Sequence, residues 1–492
     1  MNFETQLKKL KYQVLREVSL LAKEGRLNKE ELVKIQYSII QGDKPKYRCC
    51  IYKERAIVYE RAQLASGNMP CDSTIPDLVS IMDNDQIMYV IEAACDNCPI
   101  DRFMVTEACR GCIQHKCMEV CPFGAITTVA GRAYINQELC RECGMCKKEC
   151  PYNAIAEVMR PCKKSCPTGA LEINPEDKNA MINQEQCINC GACMSACPFG
   201  AISDKSYIVN VTRELIEGKK VYGVVAPAFA GQFGDNVTIG MVKDALIKAG
   251  FKDVYEAALG ADAVTVHEGI ELKHRLENGD KFMTSSCCPA FVNYVEKIYP
   301  ELTSKISDTV SPMAACGKMI KKKYEDSVVV FVGPCTAKKA EIKTPHVKGS
   351  IDYVLTFEEA AALLGAFNIE PENCDDLEMI QASLTGRNFA KGGGLSEALG
   401  TLSEEINREF KTICASGAEE LKQVLGKAKL NRLQENFIEG MMCEGGCIGG
   451  AGCLVSKKKS KQNLLKYANS SEEKTVGKNI NLELFEEINL GK

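Results

Sequence analysis

Cys193-Met-Ser-Ala-Cys-Pro-Phe-Gly-Ala-Ile202 is the fourth appearance of one short pattern. It stands earlier as Cys117-Met-Glu-Val-Cys-Pro-Phe-Gly-Ala-Ile126, as Cys146-Lys-Lys-Glu-Cys-Pro-Tyr-Asn-Ala-Ile155 and as Cys162-Lys-Lys-Ser-Cys-Pro-Thr-Gly-Ala-Leu171. Upstream of two copies the chain reads Cys-x2-Cys-x2-Cys, at Cys140 and at Cys187. Three thiolates at that spacing converge on one iron-sulfur cube, while the last Cys of Cys-x3-Cys-Pro reaches a neighbouring cube. The proline fixes φ and turns the chain away after the ligand. A single zinc ion uses two separated cysteine pairs instead, so the repeat favours clusters over zinc.

Two ferredoxin-like units, each with two halves, account for the four copies. In the first, Cys140, Cys143, Cys146 and Cys121 form one [4Fe-4S] set, and Cys109, Cys112, Cys117 and Cys150 the other. In the second, Cys187, Cys190, Cys193 and Cys166 form a complete set, but the partner set has only Cys162 and Cys197. Its two upstream ligand positions fall on Ala156 and Met159, which cannot ligate. Either that cluster is absent or two ligands come from elsewhere. The unassigned pair Cys95 and Cys98 is preferred, with Cys49 and Cys50 as rivals. Three to four accessory clusters are therefore expected.

Outward from this block the chain is ordinary. Its 492 residues suggest about three domains. A net charge of -4 with 45% apolar residues speaks against nucleic acid or a membrane surface as partner. No apolar run spans a bilayer and the first residues lack the pattern of an export signal, so a cytoplasmic location is expected. Twenty-eight cysteines in such a chain read as metal ligands rather than disulfides. Residues 1–85 form a helical N-terminal region, with helical periodicity over Glu4 to Leu21, Glu30 to Ile40 and Lys53 to Leu64. Residues 86–206 are the iron-sulfur domain, with units at about 104–155 and 156–206. Residues 207–456 alternate strands with helices, Val221-Tyr-Gly-Val-Val225 and Val328-Val-Val-Phe-Val332 being buried-strand candidates that end in proline loops. Residues 457–492, opening on Lys457, Lys458, Lys459 and Lys461, read as a polar, loose tail. The fold class is α+β multidomain.

The α/β region has no dinucleotide or phosphate-loop fingerprint. It carries instead Thr284-Ser-Ser-Cys-Cys-Pro-Ala290, Gly333-Pro-Cys-Thr-Ala-Lys-Lys-Ala-Glu341 and Glu439-Gly-Met-Met-Cys-Glu-Gly-Gly-Cys447. In this order the three segments resemble the signature of the [FeFe]-hydrogenase catalytic domain, over about residues 220 to 455. The ferredoxin-like units upstream, without a plant-type [2Fe-2S] module, are similar to the monomeric group B branch. The resemblance implies a two-lobed catalytic domain with an H-cluster: a [4Fe-4S] cube on Cys288, Cys335, Cys443 and Cys447, bridged through Cys447 to a diiron subcluster with CO, cyanide and azadithiolate. It implies reversible conversion of protons and electrons to H2, exchange with ferredoxin or a similar low-potential carrier, and maturation proteins that insert the diiron piece. Lys338 matches the lysine that holds a cyanide, a charge-assisted hydrogen bond. Cys287 matches the proton-relay thiol, followed by Glu268, Ser307, Glu271 and Arg275. Phe389 matches a residue lining the diiron pocket. Gly445-Gly446 is expected to let the backbone approach the cluster.

Glu268, Glu271 and Arg275 recur at i, i+3 and i+7, which also fits a surface salt-bridge stripe. Three positions depart from the family: Gly333 stands where methionine is common, Met313 for glutamine and Ala228 for serine. These departures keep two further readings open, a low-turnover hydrogen sensor and a non-catalytic iron-sulfur electron-transfer or assembly protein. Cys316 is read as a core thiol, as are Cys71, Cys374, Cys414 and Cys453. His115 reads as an exposed loop residue, and His267 as lying outside the proton path.

Overall fold

A computed structural model of the chain describes residues 3–70, 85–95, 98, 102–405 and 408–492, the side chains of 404 and 405 excepted. The prediction for Cys71 lies outside the described residues.

The N-terminal helices form as the periodicity predicts, at Gln6–Lys23, Lys29–Ile39 and Ile51–Ala65. Thr5 and Asn28 cap the first two by accepting from the Lys8 and Glu31 amides. Val14, Val18 and Leu21 line up on one face, which packs into the same apolar core as the α/β domain. Tyr12 and Arg16 close on Gly365 of the helix Phe357–Ala366. The region is thus a buttress of the larger domain.

In the iron-sulfur block, two hairpins pair Ile126–Val129 with Arg132–Ile135 and Leu171–Ile173 with Ala180–Ile182. Each unit is closed by a second antiparallel pair. Phe103–Val105 pairs with Ile155–Glu157, closing the first unit. The second unit is closed by Met88–Val90 on Ile202–Asp204. Its first strand therefore precedes the whole first unit, and the expected span of 156–206 leaves that strand out.

The α/β region holds two parallel sheets, as two lobes require. One has the order Asp253–Glu256, Val221–Val225, Val328–Val332, Tyr353–Leu355, and the other Met283–Thr284, Phe437–Met441, Thr412–Ser416. Val221 to Val225 pair in register with Val328 to Val332, and almost all ten are buried, as a strand covered on both faces demands.

The segment from Lys457 onward is not loose. Lys457–Asn469 is a helix that buries Ser460, Asn463, Leu464 and Ala468, and Lys457 and Lys459 pair with Glu444 and Asp235 at its rim. Half-buried Tyr467 donates to Glu256 over 2.5 Å, and Arg387 lies over its ring at 4.4 Å. Further on, Leu490 is buried and its carbonyl accepts from Val310 N at 2.8 Å. The lysines mask an inward stripe at helical spacing.

Candidate functional site

In open parallel sheets, ligands bind beyond the carboxyl ends of the strands. Five strands here end in residues of one cavity. Val225 leads to Ala226, Pro227 and Ala228, and Val332 to Pro334 and Cys335. Glu256 leads to Ala257, Thr284 to Cys287 and Cys288, and Met441 lines the cavity just before Cys443. Phe389, Ala390, Met313, Phe331, Lys338 and Cys447 complete a nearly apolar wall around about 580 Å³ of space.

Cys288, Cys335, Cys443 and Cys447 meet at this place. Burial raises the pKa of each thiol, and for Cys335, Cys443 and Cys447 neighbouring thiols of the set raise it further. Cys335 is pushed up to about 11. Thiols so placed do not ionise by themselves near neutral pH, and a bound metal centre is what draws the proton off. Lys338 Nζ lies 2.9 Å from Glu341 Oε2 and donates to Ser311 Oγ at 3.1 Å. Burial alone would lower its pKa, but Glu341 and Cys335 outweigh that, so the ammonium stays charged against the cavity.

Cys287 is buried beside Cys288 and senses the charge of Glu268. Glu268 is fully buried, and Oε1 accepts from Ser286 N at 3.1 Å and Ser286 Oγ at 3.2 Å, while Oε2 has no partner. Burial pushes its carboxyl up to about 7, with the charge of Glu271 adding to the rise. Ser307 Oγ donates to Glu271 Oε2 at 2.6 Å, and Glu271 pairs with Arg275 at 2.8 Å near the surface. Thr309 Oγ1 also reaches Glu271 Oε2, at 3.1 Å, and lies 2.8 Å from His267 Nδ1, so that histidine is tied to the same network after all.

The family departures have local causes. A side chain at Gly333 would place Cβ 2.5 Å from Phe331 Cε1, and the Phe331 ring lines the cavity in its place. Met313 and Ala228 do line it. Cys316 is buried with Sγ 3.6 Å from Glu256 O, a core thiol as expected. Gly446, at φ 91°, is required by the packing of the chain itself, since a Cβ there would strike the backbone of Ala390 to Gly392. His115 is half-buried, at φ 45°, and starts the short helix Lys116–Glu119.

The accessory thiols also gather as sets. Cys117 is raised by burial, then by Cys150, Cys112 and Cys109. Cys146 is raised by burial, then by Cys140, Cys143 and Cys121. For Cys193 the neighbours are Cys190, Cys187 and Cys166, and Cys190 senses Cys288 as well, so this set adjoins the cavity. Cys162 is pushed up to about 11 by burial and by Cys197, Cys98 and Cys95. Among the described residues no disulfide forms and no three Cys, His, Asp or Glu side chains draw tight enough for one metal ion.

Sequence reasoning missed the lock between the iron-sulfur block and this site. Lys339, wholly buried, donates to Asp204 Oδ2 at 2.7 Å, Lys205 O at 2.6 Å and Glu359 Oε2 at 2.7 Å. Nothing local to the Lys338-Lys339 pair tells that both lysines are inside.

Thiol sets leading to a buried, cysteine-walled cavity define an iron-sulfur protein. Residues 219–451 match the family described as iron only hydrogenase large subunit, C-terminal domain. Residues 156–208 match the LdpA Fe-S cluster-binding domain, and residues 133–156 a 4Fe-4S binding domain. The chain is 30% identical to iron hydrogenase 1 of Clostridium pasteurianum over 371 residues, 65% of this chain and 64% of that protein. It is also 30% identical to the periplasmic [Fe] hydrogenase large subunit of Nitratidesulfovibrio vulgaris over 303 residues, 50% of this chain and 72% of that one. An [FeFe]-hydrogenase structure from Chlamydomonas reinhardtii overlaps 54% of this chain and 88% of its own at 22% identity, TM-score 0.45. The chain belongs to the iron-only hydrogenase family. It spans less than two thirds of the Clostridium protein's length. Among the described residues no helix is long and apolar enough to cross a membrane.

Proposed function

We propose that the protein is an [FeFe]-hydrogenase that converts protons and electrons to H2 reversibly, with electrons relayed by [4Fe-4S] clusters. The observation that carries this is the gathering of Cys288, Cys335 and Cys447 on the wall of one apolar cavity that also holds Cys287 and Lys338, with Cys443 in electrostatic reach of all three ligands. When bound there, the H-cluster supplies the irons at which protons and electrons combine. The thiolates of Cys288, Cys335, Cys443 and Cys447 would hold it, and Lys338 would offer a fixed positive charge to an anionic ligand. The apolar wall, with Phe389, Met313 and Ala228, keeps bulk water out.

Cys287 and Glu268 carry the proton inward. Glu268 holds its proton near neutral pH because burial raises its pKa, a value suited to an acid-base relay. Ser307, Glu271 and Arg275 continue towards the surface. Electrons reach the cavity through the set of Cys166, Cys187, Cys190 and Cys193, which adjoins Cys288. The outer sets, Cys121 with Cys140, Cys143 and Cys146, and Cys109 with Cys112, Cys117 and Cys150, extend the path towards a ferredoxin or similar carrier. Maturation proteins would deliver the diiron piece. A cytoplasmic, reducing compartment suits thiols that must stay free.

The test is matured protein assayed for H2 evolution from a reduced low-potential donor and for H2 oxidation, with infrared spectra read for bands of iron-bound CO and cyanide. Both bands and turnover are expected. Bands with only trace turnover would favour a sensor, and no bands an electron-transfer or assembly role.

A further inference from the structure

The second ferredoxin-like unit lacks two ligands only if it is read as a continuous stretch. In the first unit, Val105 pairs with Ile155, and Cys109 follows Val105 by four residues while Cys150 precedes Ile155 by five. In the second, Val90 pairs with Ile202, and Cys95 and Cys197 lie five residues to either side. The pairing runs on through Ile91 N to Ala201 O at 2.7 Å. Cys95-x2-Cys98 thus occupies the place that Cys109-x2-Cys112 holds in the first unit. The whole first unit is inserted between the second and third ligands of the second, where the sequence shows Ala156 and Met159.

Other contacts agree. Cys95 packs with Cys162 in one apolar cluster and with Cys197 in the next. The Ala201 amide points at Cys197 Sγ from 3.3 Å, as the Ala154 amide does at Cys150 Sγ, also 3.3 Å. Ala180 N points likewise at Cys95 Sγ, 3.3 Å away. Amides aimed at sulfur are one of the means by which proteins tune iron-sulfur clusters.

Three arginines surround this set. Arg160 is 7% exposed, acts on Cys98 electrostatically, and leaves Nη1 buried without a hydrogen-bond partner. Arg61 is 5% exposed, donates to Gly200 O, acts on Cys197, and has Nε without a partner. Arg48 donates to Ala94 O at 2.8 Å, lies over the Phe199 ring at 4.9 Å and acts on Cys98. Its loop is fixed by buried Glu54, whose Oε1 accepts the amides of Lys46, Tyr47 and Arg48 at 2.6, 2.5 and 3.0 Å. Two of the three, Arg61 and Arg160, are buried with donors left over, and such cations call for an anion. A cube on four thiolates is one.

We propose that Cys95, Cys98, Cys162 and Cys197 bind a further accessory [4Fe-4S] cluster in a ferredoxin-like unit interrupted by the other, and that Arg48, Arg61 and Arg160 hold its reduction potential up. Reduction adds one electron from the low-potential donor and no proton, so the site gains one negative charge. Nearby positive charge stabilises the reduced state, and burial keeps that attraction from being screened. The N-terminal helices, which supply Arg48 and Arg61, thereby belong to the redox machinery. This rests on the iron-sulfur part of the reading above and not on its hydrogen chemistry.

The test uses the full chain made without maturation proteins and reconstituted anaerobically with ferrous iron and sulfide. Cys98→Ala and Cys162→Ala should each lose four irons and four sulfides while the magnetic-resonance signals of the other reduced clusters persist. Arg160→Gln and Arg48→Gln should keep all their iron and move one reduction step, and only one, to lower potential. Full iron content in Cys98→Ala overturns the ligand set. An arginine pair whose loss moves no step, or moves every step together, overturns the tuning. If the clusters are all present and the matured protein still turns over no hydrogen, the activity reading fails and this site stands.

Discussion

Replacing Glu268 by glutamine keeps the side chain's shape and removes its ability to ionise. In the folded chain the carboxyl titrates at about 7, against 4.5 for an ordinary glutamate, because burial penalises the anion and Glu271 repels it. At 1.36 kcal/mol per pH unit that difference is about 3 kcal/mol. The sign follows from which state holds the proton. Below about pH 4.5 the group is protonated folded and unfolded alike, and stability is unaffected. Between 4.5 and 7 only the folded state keeps the proton, so stability falls as pH rises, and above 7 the whole penalty is present. Glu268→Gln should therefore lose about 3 kcal/mol less stability than the parent between pH 5 and pH 8. Its turnover should drop about 100-fold or more, since an amide cannot pass a proton on. Infrared titration of the matured protein reads the carboxyl directly, as a band that vanishes near pH 7 in the parent and is missing from the variant. A Glu268→Gln protein with full iron content and unchanged turnover would refute the relay, and a carboxyl that ionises near pH 4 would refute the electrostatics.

Cys287→Ala should retain all its iron, since Cys287 ligates nothing in this scheme, yet lose most H2 turnover, while normal turnover would remove the thiol from the path. Lys339→Met removes the cation from buried Glu359 and half-buried Asp204 and should cost about 3 kcal/mol in denaturant unfolding. A change under 1 kcal/mol would mean the triad relaxes into water. Gly333→Met collides with the Phe331 ring and should lower the melting temperature through about 1–3 kcal/mol of overpacking, with recovery in the Phe331→Ala background.

What the sequence discloses follows from the range of the forces involved. Cluster ligands are spaced by the reach of a few peptide units, so the set of Cys187, Cys190 and Cys193 is legible in seven residues. The strands Val221–Val225 and Val328–Val332 are legible because burial on both faces excludes every polar residue. The pairing of Val90 with Ile202 is not, since the three residues Met88–Val90 carry no signal of a partner more than a hundred residues on. Arg387 and Glu256 are 131 residues apart, and each reads as an ordinary surface charge until the fold buries both. The segment after Lys457 misleads for a related reason: three of the four inward positions of its helix are small or polar, so four lysines dominate its composition.

The helix Ala257–Glu277 carries its charged stripe from solvent into the core, and the environment changes along it. Its outer members behave as a salt bridge: Arg275 pairs with Glu271 and also with Asp308 at 2.9 Å, both arginine and glutamate touching solvent. One turn further in, the stripe cannot be a salt bridge, because Glu268 is completely buried and has no cation as a hydrogen-bond partner. An isolated buried carboxylate costs several kcal/mol, so a protein without use for it would replace it by an apolar residue. Its upward-shifted acidity, its unpartnered Oε2 and its electrostatic contact with Cys287 are the features that a proton relay at this position requires. The spacing of the three charges identifies the helix face, and burial along that face separates the salt-bridged outer pair from the carboxyl to which the proposed function gives the proton.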